Sequence, residues 1–322
     1  MTSHTQRPRA LLILGMHRSG TSAVTRAINL LGAHIGKNIL LPGQGNSEGF
    51  WEHFDALEAN HHLLDALGRT WFDVRRLPPD WLMQAPGRDM LACIQAVIQK
   101  EFAPHRLVAL KDPRLCLTAP AWVEAFQSAG YAVQCLLVIR DPREVADSLH
   151  TREKWPRDSV FLLWSHYVTE ALLETRGCVR ALITYDQLLA DWRSTLHGVS
   201  EALSLHWPRS EETAATDIDA FLHTKHRHHV ATPLSGTEPS FDGMPSLTAE
   251  LYANCLAVAH GRSDWTALEH SALTMRDISD LYAPHLDHLL TRHQVAESAL
   301  TAKLQAYENI LKNLVSHVPP KS

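Results

Sequence analysis

Leu11-Leu-Ile-Leu-Gly-Met-His-Arg-Ser-Gly-Thr-Ser22 decides how this chain is read: an apolar run, a turn bounded by Gly15 and Gly20, then hydroxyl residues that open a helix. Strand, phosphate loop and helix in that order bring successive backbone N–H groups and a helix N-terminus to bear on one anion. The common GxxxxGK[ST] loop carries Lys directly after its second glycine. Here that position is Thr21, and the strong cation of the turn is Arg18, two residues ahead of Gly20. The rest of the chain has to account for the displaced charge.

Working outward, Arg9 to Gly15 is predicted as a strand, and Val24, Ala27, Ile28 and Leu31 recur at the spacing of one helical face. Residues 32–50 are rich in Gly, Pro and Asn, which predicts a long loop over the phosphate turn. A helix is expected from Trp51 to Leu67, stopped by Gly68, then an aromatic and proline-rich connection from Trp71 to Pro86 and a helix from Arg88 to Phe102. Arg106 to Leu110 reads as the second strand, running into Lys111-Asp-Pro-Arg114 and a helix from Pro120 to Ser128. Tyr131 to Ile139 is the third strand. Arg140-Asp-Pro-Arg-Glu144 then reads as a helix start, with Asp141 as N-cap, Pro142 at the first helical position and Glu144 closing a capping box. Val160 to Thr175 is helical, Val179 to Thr184 is the fourth strand, and Tyr185 stands at its carboxyl end before another helix. Alternating strands and helices imply an α/β fold: a P-loop-type central parallel sheet flanked by helices, with an α-helical C-terminal extension.

Composition narrows the function. A net charge of −5 argues against a general nucleic-acid binder or membrane-surface binder, so any anion site has to be built locally. Cys93, Cys116, Cys135, Cys178 and Cys255 form no CxxC pair and read as reduced thiols, which favours the cytoplasm. No signal segment and no membrane span are expected. The Pro- and Gly-rich stretch 231–245 reads as a linker between an α/β domain at 1–230 and a helical extension at 246–322. In that extension Leu300, Leu304, Tyr307, Leu311 and Leu314 keep four-three spacing, but the same register meets Glu297 and His293 further back. The pattern suits a helical hairpin packed on the domain, or a homodimer seam.

Ligands of an open parallel sheet collect beyond the carboxyl ends of its strands. There this chain places Gly15 to Ser22, Lys111 to Arg114, Arg140 with its capped helix, and Tyr185. On these residues the sequence resembles the bacterial sulfotransferases that use 3′-phosphoadenosine 5′-phosphosulfate (PAPS). Gly15-Met-His-Arg-Ser-Gly-Thr-Ser22 is similar to that family's 5′-phosphosulfate loop, where the cation precedes the Ser-Gly-Thr turn. Leu136-Leu-Val-Ile-Arg-Asp-Pro-Arg-Glu-Val-Ala-Asp-Ser148 is similar to its 3′-phosphate motif, with an Arg at the strand end and a Ser eight residues later. Lys111 to Arg114 and Thr184 to Asp186 look like two further blocks, and the resemblance runs from about Leu11 to His229.

The resemblance implies a sulfotransferase moving a sulfuryl group from PAPS to an acceptor hydroxyl, without a metal. Gly15, His17, Arg18, Ser19, Gly20, Thr21 and Ser22 would hold the 5′ side, Arg140 and Ser148 the 3′-phosphate, and Tyr185 the adenosine. Arg18 meets charge developing on the leaving oxygen, and by the resemblance Lys111 faces the transferred sulfuryl group or the acceptor. Glu52 is the preferred base, because Gly49-Phe-Trp-Glu52 resembles the block after the phosphate loop; Glu48 and His53 are the alternatives. Trp51 and Arg114 complete the acceptor side. Trp71, Phe72 and Trp81 are candidates to line a pocket for a glycan, a glycolipid or a small metabolite. His223, His226, His228 and His229 cluster without a familiar metal spacing, and Arg227 with His228 resembles a late Arg-His pair of the family. Two rivals stand beside this reading. A P-loop kinase requires Lys after Gly20 and a magnesium-binding Asp directly after a strand, whereas Lys111 and Arg140 each precede the Asp. A nucleotide-binding scaffold with a partner-binding helical tail requires nucleotide binding without transfer.

Overall fold

The structure, a computed structural model, describes residues 7–40, 42–43, 49–103, 105–222 and 241–316, with side chains to residue 310. Its centre is β1 (Arg9–Leu14), in which every residue from Ala10 to Leu14 is fully buried. Alternate side chains of a strand point to opposite faces, and a strand buried on both faces reads as a continuous apolar run. Accordingly Ala10, Leu12 and Leu14 enter one hydrophobic cluster, and Leu11 and Ile13 the other. Truncating one such leucine to alanine costs about 2–5 kcal/mol.

β1 pairs in parallel with β2 (Leu107–Lys111) on one side and β3 (Ala132–Ile139) on the other, and β4 (Val179–Thr184) pairs in parallel with β3. The strand order is therefore β2-β1-β3-β4. The chain leaves β1 towards β2 and returns on the far side as β3, so the order reverses between β1 and β3. Ile13 stands level with Lys111, and Leu14 with Leu137. This register puts the loops after β1, β2 and β3 on a single edge.

Helices cover both faces. α1 (Thr21–Leu30) packs on the face of Leu11 and Ile13. The opposite face takes α2 (Phe54–Ala66), α3 (Ala85–Val97), α4 (Leu115–Ser128), α5 (Pro142–Glu153) and α6 (Arg157–Glu174). After β4, α7 (Tyr185–Ala190), α8 (Trp192–Ala202) and α9 (Glu211–Phe221) return to the first face. α10 (Ser246–Ala259) and α11 (Trp265–Ser316) complete the order.

Several helix starts differ from the sequence reading. α2 begins at Phe54 because the backbone ahead of it is engaged elsewhere: Leu40 N donates to Glu52 O at 2.8 Å, and Phe54 N to Asn38 O at 2.7 Å. α4 begins at Leu115, where the Asp112 carboxylate accepts from Arg114 N at 3.0 Å, and Pro120 lies inside the helix rather than at its start. Asp141 does cap α5, accepting from Arg143 N at 2.8 Å, whereas Glu144, expected to close a capping box, pairs with Arg140 Nε at 2.8 Å.

Residues up to Arg276 form one compact unit and Asp277–Ser322 a second. The division thus falls after α10 and the first turns of α11, because Leu251, Tyr252, Cys255, Leu268 and Ala272 are buried in the same cluster as α6. The expected linker lies outside the described residues up to residue 240, as do His223 to His229. Among the described residues no helix is long and apolar enough to cross a membrane.

Candidate active site

The β1–α1 loop passes so close to its neighbours that two positions admit only glycine. A Cβ on Gly15 would stand 2.5 Å from Val138 O, and one on Gly20 would stand 2.2 Å from the Tyr185 ring. Gly20 also has φ +84°, a left-handed conformation that costs glycine nothing. Arg18 shares that conformation, with φ +69°, although it carries a side chain. What holds it is Arg140, whose Nη1 donates to the Arg18 carbonyl at 3.0 Å. The Arg18 side chain in turn donates from Nε to Ser148 Oγ at 2.8 Å, across 130 residues of sequence. The two motifs read as phosphate sites therefore meet, at the switch between β1 and β3.

The charge there is crowded. Arg18 has its pKa lowered by burial first, then by the like charges of Arg152 and Arg140. Arg152 belongs to no motif of the sequence; its one signal there is the four-residue step from Ser148, which on a helix places both on one face. Among the described residues the Ser19 hydroxyl is buried without a hydrogen-bond partner, and Gly15 N donates to Cys116 Sγ at 3.2 Å. Burial pushes the Cys116 thiol up to about 12, so it stays protonated. Tyr185, assigned to adenosine, is instead buried beneath Gly20, with the Arg140 guanidinium 5.4 Å from its ring centre.

A second group forms where β2 ends. Lys111 Nζ donates to Glu52 Oε1 at 2.6 Å, to Ser22 Oγ at 3.1 Å and to Phe50 O at 3.1 Å, and the ion pair is almost wholly removed from solvent. Ser22 Oγ itself donates to Phe50 O at 3.0 Å, so this hydroxyl of the phosphate loop is tied to the Lys111 cluster. Beside it Arg114 Nη1 donates to Asp112 at 2.7 Å. Burial works against the Arg114 charge, but Asp112, with Tyr167 and Glu52, outweighs it and the guanidinium pKa is raised. Asp112 also accepts from Asn60, whose amide oxygen accepts from Thr118 and Trp122, so the pair is anchored in the core.

His17 stands between the two groups, its ring 4.7 Å from Trp71 and 5.7 Å from Tyr167. Burial, then Arg114, Lys111, Arg152 and Arg18, hold it well below its ordinary pKa, so the imidazole is neutral. Its Nε2 is buried and has no hydrogen-bond partner among the described residues. Trp155, absent from the sequence reading, stacks on Trp71 at 5.6 Å, and Phe72 next to them is 45% exposed.

Other expected residues are placed elsewhere. His53 faces Glu101, with Nε2 3.6 Å from its carboxylate, and packs on Phe102. Trp51 lies under the Arg26 guanidinium at 4.4 Å and edges onto Phe221. Trp81 belongs to the core, and Glu48 lies outside the described residues. Among the described residues no cluster of His, Cys, Asp and Glu could hold a metal. A cavity of about 540 Å³ beside β4, α8 and Trp265 shares no residue with either cation group.

No protein-family model and no curated protein matches the chain. Several solved structures that match are sulfotransferases. The sulfotransferase domain of the curacin biosynthetic pathway is 18% identical over 62% of this chain and 75% of that one, with a TM-score of 0.37. The sulfotransferase domain of the Synechococcus olefin synthase is 16% identical over 88% of this chain and 98% of that one, with a TM-score of 0.41. A sulfotransferase from Mycobacterium tuberculosis is 15% identical over 67% of this chain and 77% of that one, with a TM-score of 0.37.

Proposed function

We propose that the chain is a PAPS-dependent sulfotransferase acting on a hydroxyl of a glycan, a glycolipid or a small metabolite. The observation that carries this reading is the Arg18–Ser148 hydrogen bond, locked by Arg140 on the Arg18 carbonyl. It joins a 5′-phosphate loop to a second anion motif, the pairing that a nucleotide with phosphates at both ends of its ribose requires. The residues fit such a ligand. The like charges of Arg152 and Arg140 lower the Arg18 pKa, which favours an anion lying among them, and Ser19 offers a buried hydroxyl without a partner among the described residues. When bound, PAPS supplies the activated sulfuryl group.

The chain's own residues then divide the work. Gly15 to Ser22 grip the 5′ side through backbone donors and the α1 N-terminus. Arg140, Ser148 and Arg152 hold the 3′-phosphate. Lys111 fixes Glu52 through Oε1, which leaves Oε2 as the atom that takes the acceptor proton. The ammonium of Lys111 and the Arg18 guanidinium lie where negative charge grows during transfer. Neutral His17 cannot repel the cations beside it, and its Nε2 is free to bond the acceptor oxygen.

The kinase reading is disfavoured by the same contacts. Asp112 is engaged by Arg114 and Asn60, and Asp141 by the α5 N-terminus and Arg143, so neither is presented as a magnesium ligand. The test is transfer of labelled sulfate from PAPS to hydroxyl acceptors extracted from the source cell. Glu52→Gln is expected to lower turnover by about 10²–10⁴-fold while adenosine 3′,5′-bisphosphate still binds. Retained turnover removes Glu52 from the mechanism. Nucleotide binding without transfer to any component favours the scaffold.

A further inference from the structure

The second compact unit, Asp277–Ser322, holds a long apolar face that the proposed chemistry does not use. On α11, Leu290, Leu300, Leu304 and Tyr307 are 41%, 59%, 57% and 66% exposed. With Leu300 at position d and Leu304 at position a of a heptad, the a and d positions from residue 283 onward are Ala283, Leu286, Leu290, His293, Glu297, Leu300, Leu304 and Tyr307. The stripe is apolar at both ends and interrupted once, by a histidine and a glutamate whose side chains are both more than two thirds exposed. The flanks are unequal. Positions g are Tyr282, Leu289, Ala296, Lys303 and Ile310, four of them apolar; positions e are Asp280, Asp287, Gln294, Thr301 and Glu308, all polar.

We propose that this face pairs with the same face of a second copy of the chain, antiparallel, in the register that sets His293 against the partner's Glu297. Two features select this geometry. In a parallel pair a meets a and d meets d, so Glu297 would lie on the partner's Glu297 and His293 on the partner's His293, placing like groups together in the seam. In the antiparallel pair a meets d, and a two-fold axis between His293 and Glu297 makes the histidine–carboxylate contact twice. The same axis sets Leu290 against the partner's Leu300, Leu286 against the partner's Leu304, and small Ala283 against the partner's large Tyr307.

The apolar g flank agrees, and the charged end opposes it, since a parallel pair would set Lys303 beside the partner's Glu308 whereas the antiparallel pair sets Asp280 there. A parallel pair lays g beside e, which would put Tyr282 on the partner's Asp287 and Leu289 on the partner's Gln294. The antiparallel pair lays g beside g: Tyr282 meets the partner's Ile310, Leu289 meets the aliphatic stem of the partner's Lys303, and Ala296 meets the partner's Ala296 on the axis. The seam from Ala283 to Tyr307 is about 36 Å long at the helical rise, and the two polar layers at its centre fix its register as buried polar residues do in coiled coils.

Sedimentation equilibrium of the full chain is expected to give a dimer at twice the 36.1 kDa of the monomer. Leu300→Glu and Leu304→Glu are expected to return it to monomer with an unchanged thermal transition of the α/β unit. Mild oxidation of Ala296→Cys is expected to yield a disulfide-linked dimer on a non-reducing gel, whereas Leu290→Cys is not; the unsubstituted chain with its own five cysteines is the control. His293→Glu is expected to weaken dimerisation at least tenfold, and adding Glu297→His to restore it by exchanging the partners of each pair. A chain that is monomeric at tens of micromolar, a cross-link through Leu290→Cys but not Ala296→Cys, or failure of the double exchange to restore dimerisation overturns the proposal.

Discussion

Ser148 offers a single hydroxyl, yet it is the joint between two motifs, since it accepts the Arg18 Nε. A hydrogen bond to a charged group is worth about 1.5–3 kcal/mol. Ser148→Ala is therefore expected to weaken adenosine 3′,5′-bisphosphate binding about 10–100-fold by calorimetry, and Arg152→Ala to weaken it with a shallower salt dependence, because an exposed cation is screened more than a buried one. Equal affinity in Ser148→Ala would mean that the contact serves the loop alone. Arg18, Arg140 and Ser148 could be read from the sequence because each sits at a fixed step within a short motif. Arg152 could not, since a lone arginine on a helix looks like a solvated one. Glu52 and Lys111 were each legible singly, but their ion pair spans 59 residues, and only the fold brings them together.

At the scale of elements, the four strands were legible because parallel strands buried on both faces are apolar throughout. Helix starts were less so, since the peptide groups of Glu52 and Phe54 bond to the preceding loop and a proline at position 120 stands inside α4. α6 carries two buried titratable groups one turn apart whose shifts oppose. Burial lowers His166 to about 4 and raises Glu170 to about 7, the latter against the pull of Arg276 and Arg76. A depressed histidine loses stability as pH falls from about 6.5 towards 4, because the unfolded chain takes the proton first; a raised carboxyl gains stability as pH falls from about 7 towards 4.5, because the folded chain does. The two nearly cancel between pH 6.5 and 4.5. Glu170→Gln removes the gain, so its thermal stability is expected to fall with acid more steeply than that of the unsubstituted chain, by about 3 kcal/mol over this range. Parallel pH profiles would show that Glu170 does not titrate there.

At the scale of the molecule, a net charge of −5 coexists with a local group of guanidinium charges at Arg18, Arg140 and Arg152, so an anion bound among them relieves the repulsion that lowers the Arg18 pKa. Adenosine 3′,5′-bisphosphate at about a hundred times its dissociation constant is expected to stabilise the chain by about 2.7 kcal/mol. A rise in the melting temperature tests this, and the rise is expected to shrink as salt is added; inorganic sulfate at equal ionic strength is the control. Equal shifts with both would mean a site for anions in general. The division of the chain was not legible at this scale. The Pro- and Gly-rich stretch 231–245 marks a connection, but Leu251, Tyr252 and Cys255 of α10 return to the core of the α/β unit, and composition does not say where a helix will dock.

The ring of Tyr185 fills the space that a side chain on Gly20 would need, and Arg140 lies over that ring while bonding the peptide next to Ser19. Three loops are thereby interlocked through four positions, 18, 20, 140 and 185. As this lineage diverges, a change at one of the four leaves the other three fitted to a shape that no longer exists, so they are expected to be inherited as a block. The heptads of α11 face no such lock and can lengthen, shorten or slip by whole repeats while the anion site stays as it is.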